Sequence, residues 1–156
     1  MIKYIVLLFL LPKTVFCQLN YSVSFLPDSL TQNANAVVRY DETIVSIENI
    51  GKAIVKHKYA ITILNEFGND FSIYKNNYGK LVSLSDINAK LFDASGLKLK
   101  TAKRKEIYDR SDEGSDFLTD QRAKLFTFGH KIYPYTVEFE ELYQKYLLHV
   151  FFEYLY

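Results

Sequence analysis

The chain has 156 residues, of which 49% are apolar and 24% are charged. These proportions exclude collagen-like, low-complexity and strongly disordered chains, and the length suggests one domain. The net charge of +1 lacks the basic excess of most nucleic-acid-binding proteins, so no nucleic-acid partner is expected, and a single cysteine excludes a disulfide within the chain.

Residues 1–17 have the layout of a secretory signal peptide. Lys3 supplies a positive charge, and an apolar run covers residues 4–11. Because this run is far shorter than the roughly 20 residues that span a bilayer, we expect no stable membrane span once the signal is removed. We expect cleavage between Cys17 and Gln18 and export to the periplasm or cell surface. Lipidation at Cys17 is the alternative, although it requires a small residue where the chain has Phe16.

Short strands are predicted from about residue 36 to residue 140. The clearest runs from Ala53 to Leu64, with Thr43 to Glu48 as its hairpin partner and a turn at residues 49–52. Its alternating pattern predicts one mostly apolar and one mostly polar face. The apolar face holds Val55, His57, Tyr59, Ile61 and Ile63, and the polar face holds Lys56, Lys58, Ala60 and Thr62.

Further strands are predicted at residues 71–78, 87–92, 97–100, 123–128 and 135–139. Turns are expected at 65–70 and 93–96, and a polar loop at 109–116. Leu97 and Leu99 alternate with lysines, which indicates a half-buried strand. In the last strand, Tyr135, Val137 and Phe139 oppose Thr136, Glu138 and Glu140. Many short strands of this kind predict an all-β fold, an antiparallel β-sandwich-like single domain over residues 18–142.

The tail from Tyr143 to Tyr156 is rich in apolar and aromatic residues. Lys145, His149 and Glu153 recur every four residues, which would line one side of a helix. The aromatic residues equally allow a strand, so both interpretations stay open.

The loop after residue 108 resembles the spacing of a calcium loop. Oxygen-bearing side chains and a glycine fall at positions 1, 3, 5, 6 and 12 of such a loop, namely Asp109, Ser111, Glu113, Gly114 and Asp120. Glu113 is long and Asp120 is short for their positions, so we expect a solvated loop and no metal.

Other candidate sites are weak. The three histidines, His57, His130 and His149, are too scattered to predict a zinc site, and His57 is expected to be a strand residue with its ring hydrogen-bonded. The basic run at residues 98–105 could meet phosphate or anionic lipid, but a solvated face is the expected use. Tyr133 and Tyr135 are the candidate place for a ligand-binding aromatic patch, although most aromatic residues are expected in the core.

Motifs for nucleophilic catalysis are absent from the sequence. There is no G-x-S-x-G, S-x-x-K, phosphate-cradling loop or H-E-x-x-H, and signal cleavage would remove the single cysteine. We therefore expect no catalytic residue, no cofactor and no enzyme activity within the mature chain.

Several stretches, in order, resemble one family. They begin with Leu26 to Leu30, Ala34 to Arg39 and Asp41 to Thr43, continue with Tyr59 to Gly68, and end with Leu91 to Gly96 and Tyr133 to Phe139. Together they resemble the N-terminal module of the DUF3857 family of exported bacterial proteins, usually followed by a transglutaminase-like domain. The resemblance implies a β-sandwich-like module with no established activity, and its neighbour's Cys-His-Asp set has no counterpart here.

The family resemblance leads to a main hypothesis and two alternatives. The main hypothesis is a non-catalytic exported module accessory to a transglutaminase-like domain missing from this chain. One alternative is the N-terminal fragment of a cysteine-dependent transglutaminase- or protease-like enzyme, since the tail after residue 142 departs from the family pattern. The module would then be incomplete at its C-terminus. The other alternative is a stand-alone carbohydrate- or peptide-binding module.

Overall fold

A computed structural model describes residues 20–80, 82–111 and 122–145 of the chain. Strands account for most of these ranges, and all their pairings are antiparallel. The strands are β1 (Ala36–Asn49), β2 (Lys52–Ile63), β3 (Tyr74–Tyr78), β4 (Val82–Phe92), β5 (Lys98–Thr101), β6 (Tyr108–Ser111), β7 (Arg122–Phe126) and β8 (Tyr135–Lys145). A short helix, α1 (Asp28–Thr31), and 3-10 helices at Val23–Phe25, Glu66–Ser72 and Arg104–Glu106 connect them.

The strands form two sheets. The larger has the order β1-β2-β8-β4-β5 and the smaller the order β3-β7-β6. Strand β8 is central and pairs along its length with β2 on one side and β4 on the other. The prediction of an all-β, antiparallel fold is confirmed.

The two sheets pack face to face around one main core. Tyr74 and Phe126 come from the smaller sheet, and Val137 and Phe139 come from the centre of the larger one; all four are buried. Tyr135, Val137 and Phe139, which the alternating pattern predicts on one face of the last strand, therefore share a face, and that face points into this core. Burial of this apolar surface is the main contribution to folding.

The hairpin predicted from the clearest alternating pattern is present. Strand β2 matches the predicted strand to within one residue at each end, and the turn lies between Asn49 and Lys52. The Asn49 side chain accepts a hydrogen bond of 2.9 Å from the backbone N–H of Gly51, a common device of tight turns. Strand β1 begins at Ala36, seven residues earlier than predicted.

Three local predictions need correction. All residues of β5 are exposed, and Leu97 and Leu99 keep 65% and 48% of their surface, so the predicted half-burial is wrong. The physical reason is that β5 is a short edge strand, paired with β4 only at residues 90–92. The turn predicted at 65–70 is a 3-10 helix, and the predicted polar loop begins inside β6.

The face of the larger sheet that the pattern marks as polar is covered at one end. Ala60, Thr62 and Thr136 are fully buried there. The covering segment is the start of the described chain: the Tyr21 ring lies 4.7 Å from the Phe92 ring, centroid to centroid. The alternating pattern could not show this, because the covering residues come from outside the sheet.

Strand β8 continues through Lys145, three residues past the expected module boundary. Tyr143 lies in a second, smaller core cluster with Val55 and Leu84. Residues 146–156, including His149, lie outside the described ranges. Within those ranges, no helix has the length and apolarity that crossing a bilayer requires.

Candidate functional site

A buried carboxylate lies between the two sheets. Glu141 of β8 is 3% exposed and shares the inward face of its strand with Phe139 and Tyr143. A buried carboxylate is costly unless it is paired and hydrogen-bonded. Its partners therefore define a polar cluster that is the first candidate site.

Both carboxylate oxygens of Glu141 accept hydrogen bonds from neighbouring strands. Nδ1 of His57, on β2, lies 2.9 Å from Oε1. From β3 of the opposite sheet, the Tyr74 hydroxyl donates to Oε2 and the Asn76 amide lies 3.1 Å from Oε2 and 3.3 Å from Oε1. Glu141 thus links the larger sheet to the smaller one.

His57 bridges this buried carboxylate and a surface carboxylate. Its Nε2 atom lies 2.9 Å from Oδ1 of Asp41, and its ring stacks on Tyr59 with 4.8 Å between centroids. The hydrogen bond with Glu141 raises the pKa of His57, with a further contribution from Asp41, although burial acts in the opposite direction. The imidazolium form is thereby favoured, and the expectation of a hydrogen-bonded ring at His57 is confirmed.

The titration behaviour of the cluster follows from its packing. Burial raises the pKa of Glu141, but hydrogen bonds from His57, Tyr74 and Tyr143 outweigh this effect and leave the pKa below its ordinary value. Burial and the nearby carboxylate raise the pKa of Tyr74 and of Tyr143. These shifts favour a carboxylate at Glu141, the imidazolium form of His57 and neutral phenols at Tyr74 and Tyr143.

A second buried carboxylate, Glu138, lies on the opposite face of β8. It is 4% exposed and accepts a 2.6 Å hydrogen bond from the Tyr21 hydroxyl. Lys90 on β4 lies 2.6 Å away and Lys58 on β2 lies 3.4 Å away. Two cations therefore compensate one carboxylate, and the Tyr21 bond attaches the first described segment to the sheet.

The tyrosines proposed as an aromatic patch lie at one end of the sandwich. The hydroxyls of Tyr133 and Tyr135 reach Oδ1 of Asn69 at 2.9 and 3.2 Å, and their ring centroids lie 5.6 Å apart. Tyr135 is 1% exposed, which makes it a core residue. A neighbouring cavity of about 170 Å³ is lined by Asn69, Ile73 and His130 among others, so this end of the sandwich carries a small pocket.

Asp109, the first residue of the calcium-like spacing, is engaged by other side chains of the protein. Asp109 lies on β6, where its carboxylate accepts a 2.6 Å bond from the Tyr78 hydroxyl and pairs with Arg122 at 3.0 Å. The hydrogen bond from Tyr78 lowers the pKa of Asp109, and Arg122 lowers it further. Glu113, Gly114 and Asp120 lie outside the described residues, as do Cys17 and Gln18. Within the described ranges, no group of three His, Cys, Asp or Glu side chains is placed to hold a metal.

Sequence reasoning missed the Glu141 cluster. The predicted last strand ends at Phe139, and the donors to Glu141 come from strands 65 to 84 positions away. A usable signal was present, because Glu141 continues the inward series of Tyr135, Val137 and Phe139.

Comparison with known structures supports the sandwich fold. One solved structure, described as that of a "putative protease" from Parabacteroides distasonis, matches with a TM-score of 0.61 and 8% sequence identity. The match covers 71% of this chain but only 23% of that protein. A search of curated protein sequences finds no match. At this level of identity the likeness shows the fold alone.

A protein-family profile also matches this chain. The profile of the family described as "Domain of Unknown Function with solved-structure structure (DUF3857)" matches residues 49–147. The matched range runs from the β1–β2 turn to just beyond the end of β8, so it includes the Glu141 cluster. The chain therefore belongs to the DUF3857 family.

Proposed function

We propose that this chain is a non-catalytic β module that supports a catalytic domain, with a transglutaminase-like domain as the expected partner. The observation that carries the proposal is the size of the structural match: the fold of this chain makes up 23% of a larger protein described as a "putative protease". A module of this fold thus occurs as one part of a longer chain. The partner's class rests on the family resemblance.

The chemistry of the described residues agrees with a supporting role. Both oxygens of Glu141 are engaged by His57, Tyr74 and Asn76, so this buried carboxylate and the histidine of raised pKa are partners of each other. Structural ion pairs perturb pKa values as active sites do. Cysteine-dependent chemistry would also need a nucleophile, and the sequence has no cysteine after Cys17.

Export belongs to the same proposal. The expected cleavage after Cys17 would make Tyr21 the fourth residue of the exported chain. Tyr21 is packed against the larger sheet, and cleavage at this position would leave that contact intact. N-terminal sequencing of the protein recovered from its native cell envelope tests this; a start at Gln18 is expected, and an intact Met1 would contradict it.

The accessory role is tested on the gene as it stands in the genome. Sequencing through and beyond the codon for Tyr156, in all three frames, should reveal a continuation that encodes a catalytic domain with a Cys-His-Asp set. If no such domain follows, the accessory role is wrong and a stand-alone binding module becomes the better hypothesis.

The non-catalytic role is tested on the purified chain. Hydrolysis of labelled casein and its cross-linking to a fluorescent amine should both stay at background. His57→Gln and His130→Gln are matched variants, since only His57 contacts carboxylates. Turnover by the wild-type chain that His57→Gln abolishes and His130→Gln preserves would show an enzyme instead.

A further inference from the structure

Strand β1 (Ala36–Asn49) forms one edge of the larger sheet, because β2 is its one partner among the described strands. It has 14 residues, whereas the edge strands β3, β5 and β6 have five, four and four. Within the described ranges, no backbone group outside the sheet bonds to it. Neighbouring residues of a strand direct their N–H and C=O groups to opposite sides, so about half of these groups on β1 face outward without a backbone partner.

The usual protections of a sheet edge are few along residues 40–47. The pairing with β2 shifts register before and after this segment but is continuous within it. The segment contains no proline or lysine, two residues that commonly prevent the pairing of sheet edges. Residues 43–47 carry no charge, and four of these five are β-branched. Ile44 and Ile47 keep 47% and 59% of their surface exposed, so this edge presents an apolar segment to another strand.

The acidic side chains of β1 limit which strand can pair with it. Asp41 lies 2.9 Å from Nε2 of His57. Glu48 pairs with Lys52 at 2.7 Å. Glu42 accepts a hydrogen bond from the tyrosine two positions before it, but it belongs to no ion pair among the described residues. Because like charges directly opposite each other destabilise a sheet, the partner strand must have no carboxylate opposite Glu42.

A second copy of β1 meets this requirement in one antiparallel register. A two-fold axis perpendicular to the sheet keeps the same faces of both sheets on one side, so residues opposite each other must be an even number of positions apart. With the axis at Ile44, the opposite pairs are Ile44 with Ile44, Thr43 with Val45, Glu42 with Ser46, and Asp41 with Ile47. No carboxylate then faces another. An axis at Val45 would set Glu42 against Glu48, and an axis at Thr43 would set Glu42 against Ile44.

We propose that β1 is a dimerisation edge, through which two copies of this chain pair antiparallel along residues 41–47 with Ile44 beside its own copy on the two-fold axis. The larger sheets of the two copies then form one continuous sheet. Backbone hydrogen bonds between the outward groups hold the strands together. The isoleucine pair and the β-branched residues beside it add apolar contact across the strands. The interface uses the same surface on both copies, and it is independent of the proposed accessory role.

Analytical ultracentrifugation of the purified chain tests the dimer, under reducing conditions so that Cys17 cannot cross-link two copies. The weight-average mass should rise from one chain toward two between about 5 µM and about 0.5 mM. Ile44→Lys sets two ammonium groups opposite each other and should raise the dimer Kd about tenfold or more. Ile132→Lys is the matched control, because Ile132 is 77% exposed and lies outside β1; its Kd should stay within about twofold of wild type.

A mixture of two variants tests the register. Ile44→Lys and Ile44→Glu should each associate more weakly than wild type, whereas an equimolar mixture should recover the dimer, because each lysine then faces a glutamate. The proposal is wrong if the wild-type chain stays a monomer at about 0.5 mM, if Ile132→Lys loses the dimer and Ile44→Lys keeps it, or if the mixture associates no better than either variant alone. It is equally wrong if a wild-type monomer protects the amides of residues 41–47 from hydrogen exchange, since another segment of the same chain would then cover the edge.

Discussion

The imidazole of His57 and the carboxylate of Glu141 meet at 2.9 Å although the residues are 84 positions apart. One lies on β2 and the other on β8, directly opposite each other in the strand register. Because Tyr74 of the smaller sheet bonds to the same carboxylate, the pair is part of the connection between the sheets. Its state of ionisation should therefore affect the stability of the whole module.

The first prediction concerns alkaline pH. The pKa of His57 is raised in the folded state, so its contribution to stability is fully present below the unfolded pKa of about 6.5 and is lost as pH rises through the folded pKa. Asp41 and Glu141 would then face a neutral ring, with Tyr74 and Tyr143 still protonated. The free energy of unfolding, measured with urea, should fall with rising pH across this window.

The variant His57→Gln should flatten this alkaline slope. His130→Gln removes a histidine whose ring lies against the Tyr135 ring, and it should keep the slope of the wild-type chain. At acidic pH the sign reverses: the lowered pKa of Glu141 means that its stabilisation is lost as pH falls through that pKa. A wild-type slope in His57→Gln would show that another group controls the alkaline loss.

The second prediction compares neighbouring glutamates on β8. Glu141→Ala should cost about 3–5 kcal/mol in the free energy of unfolding, because it leaves a half-buried imidazolium without its main partner. Glu140→Ala removes a carboxylate that pairs with Lys56 at 2.7 Å near the surface, and it should cost less than about 1 kcal/mol. Equal losses in urea unfolding would contradict a special role for Glu141.

The limits of the sequence pattern are visible along β8. Alternation placed Tyr135, Val137 and Phe139 in the core correctly, because an apolar side chain reports its own preference for burial. Glu138 and Glu141 are also buried, yet each carboxylate is buried only because partners on other strands compensate its charge. The hydropathy pattern of a strand gives no information about such partners. The fold class and the main hairpin were therefore predictable, whereas the polar cluster between the sheets was not.

The third prediction concerns the first described segment. Tyr21 is buried, donates to Glu138 and packs on Phe92, while Arg39 holds the backbone carbonyls of Asn20 and Ser22. Tyr21→Phe should cost about 2 kcal/mol through loss of one hydrogen bond to a buried carboxylate. Tyr21→Ala should cost about 3–5 kcal/mol, since the ring contacts are lost as well.

Limited proteolysis provides a second measurement for the same segment. The Tyr21→Ala variant should be cleaved within residues 20–30 earlier than the wild-type chain, because the segment loses its attachment to the sheet. Phe25→Ala is the control: this side chain is 67% exposed, and its removal should change the free energy of unfolding by less than about 0.5 kcal/mol. Cleavage of both variants at the wild-type rate would show that Tyr21 does not anchor the segment.

The last prediction contrasts two glycines beside β2. A Cβ atom at Gly68 would lie 2.2 Å from the backbone oxygen of Asn35, a contact that only a backbone shift could relieve. The same Asn35 oxygen already accepts a 2.9 Å hydrogen bond from the backbone N–H of Leu64, which follows β2 and precedes the 3-10 helix that contains Gly68. Gly68→Ala should therefore destabilise the chain by about 2 kcal/mol or more.

Gly51→Ala is the control. A Cβ atom at Gly51 would lie 3.6 Å from the nearest atom, which belongs to the Asn49 side chain. The free energy of unfolding of Gly51→Ala, measured with urea, should therefore stay within about 0.5 kcal/mol of wild type. If the two variants unfold at the same urea concentration, the close approach of the Glu66–Ser72 helix to Asn35 does not constrain this end of the sandwich.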